Sequence, residues 1–201
     1  MSKHIAQQEA VQLALDALKK VDIQARCARL GLPQPRDGAI PVRLFGEKMH
    51  FRTGDRRLIV ELSGEPASPR DTILFLHYLQ CEVPIPEKGE LISFRDLPGG
   101  MFYWGPFRSR SILPLLCYFG NDLDKLRARM DRFDWQPLEA GDFAARIHVA
   151  GLLYATLVYH LGDEEFPPAA DLLFDAIFKH VLPTEDATVI AGRICLGLIS
   201  E

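Results

Sequence analysis

The chain has 201 residues, 48% of them hydrophobic and 25% charged, which suffices for one core and excludes a disordered segment. Its 27 acidic and 23 basic side chains leave a formal charge of −4, so nothing in the balance attracts nucleic acid or anionic lipid. The longest apolar runs, Ile73–Leu79, Ile112–Phe119 and Leu152–Tyr159, are far too short to span a bilayer.

Met1-Ser2-Lys3-His4 leads into an amphipathic stretch with no secretory-signal features, so a cytoplasmic protein is expected. Residues 5–20 read as a helix with Val11, Ala14, Leu15, Leu18 and Val21 on one stripe. Gly31, Pro33, Pro35 and Gly38 break the chain. Three short apolar pieces follow, Val42–Phe45, Met49–Phe51 and Leu58–Leu62, and suggest an antiparallel meander. Ser68-Pro69-Arg70-Asp71 is a helix start with N-cap, N1 proline and capping acid in place. That helix runs to about Gln80, is apolar nearly all round, and Pro84 and Pro86 prevent its continuation.

Leu91–Arg95 reads as a strand, Leu97-Pro98-Gly99-Gly100 as a turn, and Ser111–Phe119 as a helix with Pro114 in its first turn. Gly120-Asn121 stops it, and a helix from Asp122 to about Phe133 carries Leu123, Leu126, Met130 and Phe133 on one face. Arg146–Val149 and Leu152–Leu161 read as strands, and a last helix starts at Thr184. Helices and strands are mixed without regular alternation. The expected fold is therefore α+β, a single domain over residues 1–201 with a mixed or antiparallel sheet packed by about five or six helices.

Phosphate-loop, dinucleotide and serine-hydrolase motifs are all missing. The histidines at 4, 50, 77, 148, 160 and 180 are not paired at metal-ligand spacing, so no metal site is expected. Cys27, Cys81, Cys117 and Cys195 lie far apart in apolar surroundings and are expected as free buried thiols.

Three segments stand out. Between Ile92 and Arg110, the residues Arg95, Gly99, Gly100, Tyr103, Trp104, Phe107, Arg108 and Arg110 could line a platform for a planar, anionic cofactor. Arginine forks would hold its carboxylates and the aromatic rings would stack on it. The other reading is a loop that lays its aromatics on the core and leaves its arginines in water. In Gly162–Pro168, Asp163, Glu164 and Glu165 could bind a hard cation or act as acids, or could simply be hydrated in a turn. Farther on, Asp175 interrupts an apolar stretch and could orient His180 as a general base, or could satisfy a structural hydrogen bond. Thr184, Glu185 and Asp186 are accounted for as capping residues of the last helix.

These segments resemble proteins carrying domain of unknown function 3786. The matching blocks are Leu74–Leu79 with His77-Tyr78, Ile92–Gly100, then Phe107, Arg110, Pro114, Phe119 and Gly120, and finally Gly162 through Asp186. The resemblance extends over about residues 8–199. It implies a setting in anaerobic bacteria and archaea and in cofactor or one-carbon metabolism. Relatives fused to a cysteine-rich iron–sulfur module imply an iron–sulfur protein as a partner, because this chain has no cluster-like cysteine spacing. The leading expectation is an accessory protein that binds a tetrapyrrole- or corrinoid-like cofactor. A metal-assisted or acid–base hydrolase, and an interaction module for an iron–sulfur redox partner, are the alternatives.

Overall fold

The structure, a computed structural model, describes residues 3–83 and 89–200. The expected stop at Pro84 and Pro86 lies outside the described residues. The chain opens with α1 (Lys3–Ala17), a 3₁₀ turn at Leu18–Lys20 and the short α2 (Ile23–Arg29). Asp22 starts α2 by accepting from the backbone N–H groups of Gln24 and Ala25. Next come β1 (Ala39–Leu44), β2 (Glu47–Arg52) and β3 (Arg57–Val60), the expected meander. Helix α3 (Pro69–Gln80) has Ser68 accepting from the Asp71 N–H at 3.1 Å, with Pro69 in its first turn, as the sequence indicates.

Beyond it lie β4 (Leu91–Ser93), a 3₁₀ turn at Phe94–Asp96, α4 (Gly100–Arg110), α5 (Ile112–Phe119) and α6 (Leu123–Met130). The carboxy-terminal part contains β5 (Trp135–Leu138), β6 (Phe143–Ala150), β7 (Leu153–His160), β8 (Ala169–Asp175), α7 (Phe178–Val181) and α8 (Thr184–Ile199). The five strands β4-β8-β7-β6-β5 form a second sheet in that order, antiparallel throughout. The fold is α+β, with two antiparallel sheets and no parallel pairing among the described residues. Eight helices are present there against about five or six expected, because α2 and α7 are too short to show a periodic stripe and α4 opens on a glycine pair that reads as a turn.

Two expected boundaries move for physical reasons. Arg95 leaves the strand because the Asp96 carboxylate accepts from the Ser93 N–H at 2.8 Å and closes a 3₁₀ turn after Ser93. The aromatic stretch that follows is a helix, not a loop. Gly99 takes a left-handed conformation, φ +73°, and turns the chain into α4. A side chain on Gly100 would collide with the Phe94 carbonyl oxygen, so this glycine serves packing.

One hydrophobic core runs from Ala14 to Leu198 and includes both sheets. The meander is tied to the larger sheet by the Phe45 N–H, which donates to the Val149 carbonyl at 3.0 Å. Tyr78 on α3 is fully buried; its hydroxyl donates to the Leu30 carbonyl at 2.6 Å and accepts from the Leu152 N–H at 2.9 Å. Helix α3 packs against α1 on one side and α8 on the other. No helix among the described residues is long and apolar enough to cross a membrane. Cys27, Cys81 and Cys195 are free and buried, and burial pushes the Cys195 thiol up to about 12. Cys117 departs from expectation: it is exposed, on the outward side of α5.

Candidate functional site

Helix α3 begins at Pro69 and so brings His77 to its last turn; α8 begins at Thr184 and brings Asp186 to its first. The two helices pack together, and His77 Nδ1 lies 2.8 Å from Asp186 Oδ2. Asp186 is only 2% exposed, whereas His77 is half-buried and faces a cleft. The acceptor in this bond is a carboxylate, so Nδ1 carries the proton and Nε2 is left with no hydrogen bond to any described residue.

The electrostatics follow from this placement. The Asp186 hydrogen bond raises the basicity of His77 above the ordinary histidine value, and burial opposes it. Burial also raises the Asp186 carboxyl above the usual range, against the lowering effect of His77. A carboxylate sealed from water and bonded to one imidazole nitrogen fixes the ring's tautomer and stabilises its cation. That is the arrangement required of an oriented general base.

The cleft has a volume of about 420 Å³, within the range of small-molecule sites. Besides His77 it is lined by Gln80, Cys81, Glu82 and His180. Cys81 follows His77 by four residues, so the end of α3 turns both toward the same space. Its thiol donates to the Val83 carbonyl at 3.3 Å and burial pushes its pKa up, so it rests as a neutral thiol. Arg26 closes the rim through the Cys81 carbonyl and through Glu82 at 3.5 Å.

Of the acid–base candidates read from sequence, His180 reaches this cleft and Asp175 does not. Asp175 accepts from the Ile177 N–H at 3.1 Å and packs tightly against Gly89. The acid–histidine pair the structure forms is a different one: Asp186 partners His77. Asp163 folds its own turn, accepting from the N–H groups of Glu165 and Phe166 at 2.8 Å each. Those bonds hold its carboxyl below the ordinary range, and Glu164 and Glu165 stand in solvent beside it. No group of three or more His, Cys, Asp or Glu side chains placed to hold a metal occurs among the described residues.

The arginine–aromatic segment divides into separate parts. Phe107 is buried, stacked on Phe94 at 3.9 Å between centroids and on Trp104 at 5.7 Å. The Arg95 guanidinium lies 4.6 Å from the Trp104 ring centre. These rings already have protein partners, and Tyr103 is exposed. Arg108 and Arg110 are two residues apart on α4, so they leave the helix on opposite sides. They lie in the last turn of α4, where the dipole favours cations, and immediately before α5, whose N-cap is Ser111.

The His77–Asp186 pair escapes sequence reading because capping already accounts for Asp186. The remaining signal is His77 itself, a polar residue within the apolar run Ile73–Leu79. Both residues belong to blocks that carry the family resemblance, and the fold brings those blocks together. A family model described as "Domain of unknown function (DUF3786)" matches residues 22–196. No curated protein and no solved structure matches.

Proposed function

We infer that this chain, which belongs to the DUF3786 family over residues 22–196, carries an acid–base site centred on His77. The observation that supports this reading is the 2.8 Å bond from a half-buried imidazole at a cleft to a carboxylate sealed beneath it. The reading is acid–base hydrolysis of a small polar ester, in which His77 Nε2 is the reacting group. Neutral Nε2 accepts a proton from water as the water oxygen bonds to the carbonyl carbon. Asp186 stabilises the resulting imidazolium. The same proton then passes to the leaving oxygen as its bond to that carbon breaks, and the imidazole returns neutral. His180 is the polar group available to hold the bound molecule; the Gln80 amide nitrogen already donates to the Ala14 and Leu76 carbonyls, which leaves only its oxygen as an acceptor.

A tetrapyrrole- or corrinoid-like cofactor is not proposed for the Arg95–Arg110 segment, since Arg108 and Arg110 diverge and Phe107 is inside the core. The test of the hydrolytic reading is turnover of p-nitrophenyl acetate by the chelator-treated protein. His77→Gln should lower the rate by about 100-fold, the scale of general acid–base catalysis. Asp186→Asn should give an intermediate loss and shift the acidic limb of the pH profile to lower pH, because the anion that raises the His77 pKa is gone. A rate unchanged in His77→Gln rules the reading out.

A further inference from the structure

Helix α4 presents an apolar face to solvent. Phe102 is 91% exposed, and Met101 and Tyr103 beside it are largely exposed as well. Phe102 and Pro106 stand one turn apart on this face, while Arg108 and Arg110 flank it on either side. Neither arginine forms an ion pair with any described residue. Pro106 has no N–H, so it cannot bond the Phe102 carbonyl one turn back, and that acceptor is left for an outside donor. An exposed aromatic beside unpaired cations is complemented by an exposed apolar group beside carboxylates.

The chain contains such a group. In the turn after β7, Glu164 and Glu165 precede Phe166, which is 66% exposed. The turn is preformed. Asp163 accepts two backbone bonds within it, and the Asp163 N–H donates to the Phe166 carbonyl at 2.8 Å. Asn121 clamps its base, donating to the Gly162 carbonyl at 2.9 Å and accepting from the Gly162 N–H at 2.8 Å. A tip already fixed in shape loses little conformational entropy on docking.

We propose that the Glu164-Glu165-Phe166 tip of one copy docks on the Met101–Arg110 face of α4 in a second copy of this chain. Phe166 packs on Phe102, and the glutamates meet Arg108 and Arg110. The patches are distinct, so contact is head-to-tail, closing where two copies exchange tips and extending where they do not. This contact is independent of the His77 cleft.

Sedimentation velocity on the whole protein at low salt tests it. The expected result is a concentration-dependent shift from monomer to larger species that reverses in roughly 1 M salt, where the Debye length is about 3 Å. Arg108→Glu/Arg110→Glu and Glu164→Arg/Glu165→Arg should each sediment as monomers, and an equimolar mixture of the two should associate again. All four positions are exposed, so the fold is retained, which circular dichroism checks. A wild-type monomer at every concentration up to about 500 μM, or association indifferent to both charge reversals, overturns the proposal.

Discussion

Replacing His77 with alanine removes the partner of a carboxylate that water cannot reach. The side chain of Asp186 is 3% exposed, and its oxygen loses a charge-assisted hydrogen bond. Stranding one member of a buried pair costs about 3–5 kcal/mol. Asp186 sits in the first turn of α8, where the helix dipole offsets up to ~2 kcal/mol of that. With the full offset, the expected net loss near neutral pH is therefore about 1–3 kcal/mol, or roughly 2–12 °C in Tm for a domain of this size. The pH dependence follows from both shifts. His77 has a raised folded-state pKa, so its contribution is full below about pH 6.5 and is lost as pH rises through the folded value. Asp186 is also raised, so the folded state favours its protonated form and stability falls as pH climbs through that carboxyl's folded value. Without His77 to stabilise the anion, that fall should steepen in His77→Ala as pH climbs from the ordinary aspartate value of about 3.9 through neutrality. Urea unfolding across this range measures it. His77→Phe/Asp186→Leu should recover most of the loss, because a buried pair replaced by apolar groups is close to neutral. A single variant within ~0.5 kcal/mol of wild type at neutral pH, or a double variant as unstable as the single one, would refute the reasoning.

Tyr78→Phe strands the Leu30 carbonyl and the Leu152 N–H, so a loss of roughly 2–4 kcal/mol is expected in urea unfolding. Gly100→Ala forces α4 away from the Phe94 carbonyl and should cost about 1–3 kcal/mol with loss of the Phe94–Phe107 stack, read by near-ultraviolet circular dichroism. A bulky disulfide reagent should label one thiol, Cys117, quickly in the native state and the other three only on denaturation.

Elements governed by local chemistry were legible in the sequence. Ser68-Pro69-Arg70-Asp71 contains its own cap, and the meander between Ala39 and Val60 contains its own turns. Helix α4 was not, because Gly99-Gly100 and Gly105-Pro106 are turn-forming pairs when read locally. In the fold, Gly99 supplies one left-handed residue and the close approach of Phe94 requires Gly100. Strand β8 was hidden because its alternating burial is not matched by alternating residue types: Leu172-Leu173-Phe174 reads as a short apolar run between Asp171 and Asp175. The candidate site failed to show for a different reason. His77 and Asp186 are 109 residues apart, and only the packing of α3 on α8 makes them a pair. His180 was identified as a candidate base, but the acid assigned to it belongs to a turn at the end of β8.

The coupling of His77 to Asp186 is tested most directly by following the His77 ring signals in an NMR pH titration of wild type and Asp186→Asn. The account predicts a wild-type His77 that titrates above the ordinary histidine value of about 6.5, and a variant ring that titrates distinctly lower because the anion is gone and burial remains. A wild-type ring at or below the ordinary value, or one whose titration is unmoved by Asp186→Asn, would contradict it.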